Sequence, residues 1–128
     1  LGMAGGVGSV TISTTGTSLA ATYTVTVASY YGSNYFYIDG SRAATLSLSE
    51  GSTYKFDQSD SSNSTHPLRF STTSDGTHNR GSEYTTGVTT NGTPGSSGAY
   101  TQIEVASGAP TLYYYCTNHS GMGGQINT

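Results

Sequence analysis

Leu112-Tyr113-Tyr114-Tyr115-Cys116-Thr117-Asn118-His119-Ser120-Gly121-Met122-Gly123-Gly124 is the stretch that decides how this chain is read. Its first five residues are one aliphatic, three tyrosines and the only cysteine of the chain. Aromatic residues suit a pleated, half-buried surface, so Leu112 to Cys116 reads as a strand that ends on a thiol. The next residues are polar and small. The spacing is Cys-x2-His-x2-Met, which puts a thiolate, an imidazole and a thioether on one short loop. Gly121 and Gly123 let that loop fold around a single point.

Working upstream, the same strand chemistry recurs. Tyr23, Val25 and Val27 alternate with Thr22, Thr24 and Thr26, the period of a strand with one buried face. Tyr35-Phe36-Tyr37-Ile38 follows and is closed by Asp39-Gly40, a strong hairpin-turn dipeptide. Thr45-Leu46-Ser47-Leu48 and Thr53-Tyr54-Lys55-Phe56 flank Glu50-Gly51 and read as two short strands paired through a tight connection. Leu68 and Phe70 mark another strand after His66-Pro67, and Ile103 and Val105 mark one over residues 100–106. Residues 57–65 are a polar loop. Residues 72–99 are the longest irregular region, with Val88 as almost its only aliphatic. No segment has helical periodicity and there is no internal repeat. The expectation is an all-β fold, a Greek-key β-sandwich or barrel of about seven to eight strands.

Composition agrees. The chain has 128 residues, enough for one domain with a core of its own. Gly, Ser and Thr fill close to half of it, charged residues only 9%, and eleven tyrosines carry most of the aromatic surface. A disordered chain would have high net charge and few aromatics. Residues 1–20 read as a Gly/Ser/Thr-rich leader, in which Val7, Val10 and Ile12 could form an extra strand; residues 21–128 read as the domain. The start at Leu1, with no secretory signal, reads as a mature or excised product. Few residues follow Met122, so a strand after the loop is expected to be short or absent, leaving a sheet edge unpaired and open to self-assembly.

Net charge is −3, and Arg42, Lys55, Arg69 and Arg80 form no cluster, so nothing here neutralises a nucleic-acid backbone. No apolar run reaches the ~18 residues of a membrane span. The Ser/Thr/Tyr-rich, lysine-poor composition points to an extracellular, periplasmic or virion-surface setting.

A single cysteine cannot close an internal disulfide, and on its own it is most simply a small buried hydrophobe. His119 and Met122 at this spacing argue for a metal ligand instead. A trigonal His2Cys set with a weak axial Met is the ligand set of copper sites that cycle between Cu(I) and Cu(II). It needs one more histidine. His66 fits best, because Pro67 fixes its own φ and restricts the residue before it, giving a stiff mount at a strand entrance. His78, in Gly76-Thr77-His78-Asn79-Arg80, is the alternative, in a polar loop with no rigid neighbour. The candidate metal ligands are therefore His66, Cys116, His119 and Met122, for one copper ion. A Cys116–His119 nucleophile pair lacks a third orienting group and an oxyanion site, so no enzyme activity is expected. Asp57, Asp60, Asp75 and Glu83 lack the dense spacing of a calcium loop. Asn63-Ser64-Thr65, Asn91-Gly92-Thr93 and Asn118-His119-Ser120 match the glycosylation acceptor pattern, as chance allows in a chain so rich in Ser and Thr.

At the Tyr-rich strand, the Cys-x2-His-x2-Met loop and the earlier His66, the chain resembles the cupredoxin (blue-copper) family. The loop spacing looks like that of amicyanin. The stretch Leu46 to Phe56 also looks like the family's run before its first ligand, and the resemblance covers roughly residues 22–128. It implies a type 1 copper site, electron transfer to a redox partner protein, and a solvent-facing edge on His119. His66-Pro67-Leu68-Arg69-Phe70, Thr90-Asn91-Gly92-Thr93-Pro94-Gly95, Gly98-Ala99-Tyr100-Thr101 and Tyr113-Tyr114-Tyr115-Cys116 are similar to cupredoxin-like modules of marine bacteriophage virion and appendage proteins. That second likeness implies a module of a larger surface assembly, with the copper site used, incidental or empty.

Overall fold

A computed structural model describes residues 18–128. Val7, Val10 and Ile12 lie outside them. The described residues form eleven strands: β1 (Leu19–Tyr30), β2 (Ser33–Ile38), β3 (Ser41–Arg42), β4 (Leu46–Ser47), β5 (Thr53–Asp57), β6 (Leu68–Ser71), β7 (Glu83–Tyr84), β8 (Val88–Asn91), β9 (Tyr100–Glu104), β10 (Leu112–Cys116) and β11 (Gly124–Asn127). The only helical pieces among them are two 3-10 turns, Ser61–Asn63 and Gly76–Asn79. The count exceeds the expected seven to eight because three of the strands are two-residue pieces.

Two mixed sheets result, in the orders β3-β2-β1-β5-β9-β8 and β4-β11-β10-β6-β7. The long β1 belongs to two partners in succession. Its first half runs parallel to β5 and its second half antiparallel to β2. The alternation read from sequence is the cause of the packing: Val25 is fully buried, Tyr23 and Val27 pack against the core, and Thr22 and Thr24 face outward. The Asp39-Gly40 turn forms as expected, with both residues left-handed (φ 48° and 85°) and Asp39 accepting the Thr24 N–H at 2.7 Å.

The sheets stack face to face. Val25, Phe36, Ile38, Phe56 and Ile103 from one meet Leu68, Phe70, Leu112, Tyr114, Cys116 and Ile126 from the other in a single core. Phe56 and Phe70 meet edge to face across it, with centroids 5.4 Å apart. The architecture is an all-β sandwich.

Two sequence expectations need correction. The strands flanking Glu50-Gly51 are not a hairpin: β4 lies in the five-stranded sheet and β5 in the six-stranded one. The turn at Ser49–Ser52 carries the chain across the sandwich, and the Ser49 N–H, bonded to the Tyr54 hydroxyl at 2.8 Å, ties the crossing down. The segment after Met122 is also not a loose edge. β11 is four residues long but sits inside its sheet, antiparallel to β10 and parallel to β4. The outermost strands, β3, β8, β4 and β7, are two to four residues long. Edges that short offer few ladder positions to another chain.

Candidate metal centre

The register of β10 against β6 builds the site. Cys116 is opposite Leu68, and the pairing continues past the strand end, where the Thr117 N–H donates to the Pro67 carbonyl at 3.2 Å. His66 is therefore carried to the end of β10 where the thiol lies. Leu112, Tyr114 and Cys116 all point inward, which places the thiol at the rim of the core with no exposed surface. His119, three residues further on, turns back over it.

The Sγ of Cys116 is 3.6 Å from Nδ1 of His66 and 3.6 Å from Nδ1 of His119. All three donor atoms lie within 4.8 Å of one another, and the two imidazole rings are 4.6 Å apart at 46°. This is the one group of three or more His, Cys, Asp or Glu donors that could hold a metal ion among the described residues. His66 and Cys116 are buried, whereas His119 is exposed.

Met122 is also buried, in the same loop, and its carbonyl accepts the Phe36 N–H of β2 at 2.9 Å. It lines, with His119, Ser33, Asn34 and Ser120, an open hollow at this end of the sandwich. Gly123 sits so close to β10 that a Cβ there would overlap the Tyr114 carbonyl, so the chain can leave Met122 along this path only with glycine.

No family model, curated protein or solved structure matches this chain.

The two sulfur–nitrogen separations suit a metal ion. A cation about 2.3 Å from sulfur and about 2.0–2.1 Å from nitrogen would see donors 3.6 Å apart at an angle of about 110°, between tetrahedral and trigonal. Both imidazoles present Nδ1 to the thiol.

Polar groups that sequence reading passed over hold this arrangement. Buried Gln58 donates from Nε2 to the His66 carbonyl at 2.7 Å and to Oδ1 of Asn63 at 3.0 Å, while its Oε1 accepts the Leu68 N–H at 3.0 Å. Asn63, with no exposed surface, donates to the Val25 carbonyl at 2.8 Å, and its own carbonyl accepts the His66 N–H at 2.8 Å. His66 is thus fixed from both sides through buried bonds that cost free energy to leave unmade. The Asn63-Ser64-Thr65 acceptor pattern is accordingly sealed in the folded chain. Asn118 ties the loop to the turn before His66, donating to the Thr65 carbonyl at 2.9 Å. Neither Gln58 nor Asn63 lies in an apolar pattern that would flag it; only their closeness to His66 in sequence is a hint.

His78 lies near the site without joining its donors. Its Nε2 is 2.7 Å from the Cys116 carbonyl, and since a carbonyl only accepts, Nε2 carries the proton. Asp57 and Asp60 are spent on Ser59 and Ser62, Asp75 on the Gly121 N–H, and Glu83 faces Arg69 at 3.5 Å, so these acids form no calcium cluster.

Burial pushes the Cys116 thiol up from its ordinary range, with the Asn118 and His119 N–H groups partly opposing. Burial, then the neighbouring His119, holds the His66 imidazole below its ordinary value. At neutral pH the metal-free site is therefore a protonated thiol beside a neutral His66. Metal uptake must expel the thiol proton, so affinity should rise with pH by about tenfold per unit around neutrality. In acid the dependence should steepen, as His66 also takes a proton that the metal must displace. Competition titrations from about pH 5 to about pH 8 test this, and a flat profile would remove Cys116 from the ligand set.

Proposed function

We propose that this chain is a cupredoxin-type domain that would hold one copper ion through His66, Cys116 and His119, with Met122 as a further, weak ligand, and that it transfers electrons. One observation carries the reading: a fully buried thiol with two imidazole Nδ1 atoms, each 3.6 Å from its sulfur. That donor set, a soft sulfur with two imidazoles, suits copper in both oxidation states.

When bound, copper supplies a one-electron couple between Cu(II) and Cu(I). The chain's own residues keep the donor positions fixed throughout. The β10–β6 ladder holds Cys116, the Gln58–Asn63 pair holds His66, and the β2 contact holds Met122. Little has to move when the charge of the site changes. The buried core around Cys116 excludes water from the sulfur, and the exposed His119 is the point closest to a partner.

The partner proposed is a redox protein that docks at the His119 end. The β1–β2 turn reaches out beside the hollow at Ser33 and Asn34. It presents Tyr31, 92% exposed, and Tyr30, stacked under the Arg42 guanidinium at 3.5 Å. Tyrosine and arginine are the residues that anchor protein contacts. The lysine-poor, Ser/Thr/Tyr-rich composition favours an extracellular, periplasmic or virion-surface module.

Copper titration tests the function. One equivalent of Cu(II) should give an intense visible thiolate-to-copper band that saturates at that ratio and bleaches on reduction. Zinc should bind more weakly and without colour. A protein that takes up neither ion at micromolar concentration is not a metal carrier.

A further inference from the structure

The loop from Thr117 to Gly123 is held on its inner side by the core. Its outer side is held by a segment that the ligand chemistry leaves unused. β10 turns Tyr115 to the face opposite Cys116, yet Tyr115 is only 1% exposed, because Thr73–Arg80 covers it. Gly76 lies flat on the ring, where a Cβ would come within 2.6 Å of it. His78 meets the same ring edge-on, with centroids 6.2 Å apart at 82°.

From this platform two side chains reach the metal loop on either side of His119. His78 Nε2 donates to the carbonyl of Cys116 at 2.7 Å. Asp75 Oδ1 accepts the N–H of Gly121 at 2.9 Å. The segment has a defined shape: Asp75 and Arg80 are both left-handed non-glycine residues (φ 63° and 65°), and the Gly81 N–H closes it onto the Gly76 carbonyl at 3.0 Å. Asp75 also brings charge. Its carboxylate bonds the loop at Gly121, one residue before Met122.

We propose that Thr73–Arg80 is a brace in which Asp75 and His78 are positioning residues that set the shape and redox poise of the metal centre, an inference that rests on the copper reading above. His78 fixes the peptide that carries the thiol. Asp75 fixes the loop next to Met122 and adds a negative charge that favours Cu(II) over Cu(I).

Paired variants separate position from charge. Asp75→Asn keeps the acceptor for Gly121 and removes the charge, whereas Asp75→Ala removes both. His78→Gln keeps a donor for the Cys116 carbonyl, whereas His78→Leu does not. In the metal-free protein, amide exchange at Gly121 should quicken by about tenfold in Asp75→Ala, as loss of a hydrogen bond to a charged acceptor predicts, and remain near wild type in Asp75→Asn. With copper bound, Asp75→Asn should raise the reduction potential with little change in the visible band. His78→Leu should shift the band, and His78→Gln should restore it. All four should still bind one copper. If the wild type loads copper but Asp75→Asn keeps its potential and His78→Leu its band, the brace has no tuning role and the copper reading stands. If the wild type takes up no copper, the copper reading falls and the tuning claim with it. An unchanged Gly121 exchange rate in Asp75→Ala overturns the positioning of the loop by Asp75 in either case.

Discussion

Cys116→Ser is expected to abolish the visible copper band and to lower copper affinity by orders of magnitude. The band arises from charge transfer out of a thiolate, and a serine hydroxyl stays protonated and holds a soft ion poorly. The fold should survive. A hydroxyl at a position with no exposed surface costs about 1–3 kcal/mol when it lacks partners, but here the backbone N–H groups of Asn118 and His119 face the side-chain atom and offset part of that. Loss of colour with an intact thermal transition is therefore the expected pair of results. His66→Ala should weaken binding sharply for a different reason, since it removes one of the two Nδ1 donors facing the sulfur. A Cys116→Ser protein that still turns coloured with Cu(II) would mean that the sulfur is not a ligand.

The second large effect is structural. Gly123→Ala places a Cβ onto the Tyr114 carbonyl, which is backbone in the middle of a sheet and cannot swing aside as a flexible side chain would. Tyr114 pairs with Gly124 in the β10–β11 register, so relief of the clash means prising β11 away from β10. A destabilisation of about 3 kcal/mol is expected, at the top of the usual range for overpacking. For a domain of this size that lowers the melting temperature by about 12 °C. Because Met122 immediately precedes Gly123, any protein that remains folded should also show an altered copper spectrum. An unchanged melting temperature would mean that the loop leaves β10 by another path.

The legible part of the fold was its alternation. Tyr23, Val25 and Val27 announced their buried face, and Asp39-Gly40 announced its turn, because both signals are local. The crossing at Glu50-Gly51 was misread for a physical reason. Turn residues say where a chain reverses, and not whether the next strand rejoins the same sheet or the facing one. β8 and β11 escaped notice because Thr89-Thr90-Asn91 and Gly124-Gln125-Ile126-Asn127 carry too few apolar side chains to show a period, and are held by ladder bonds to β9, β10 and β4.

The site divides in the same way. Cys116 and His119 were visible as a spacing, since they lie three residues apart, and the structure brings their donor atoms together; Met122, from the same spacing, is buried in the same loop, and its role as a ligand belongs to the proposal. His66 was reached through Pro67, a local stiffness signal, and the structure brings its Nδ1 to the thiol. Gln58 and Asn63 were not legible as supports of His66, and His78, weighed in sequence as a ligand, instead bonds the Cys116 carbonyl, as Asp75 bonds the Gly121 N–H. Each works through a hydrogen bond to backbone distant in sequence or hidden within a polar loop, and such bonds leave no periodic trace.

Anomalous diffraction on either side of the copper absorption edge, from crystals of the copper-loaded protein, tests the central claim most directly. The account predicts one peak at bonding distance, about 2.0–2.3 Å, from Sγ of Cys116 and Nδ1 of both His66 and His119. A peak bound to other residues, or a loaded crystal with no peak among these three donors, would contradict it.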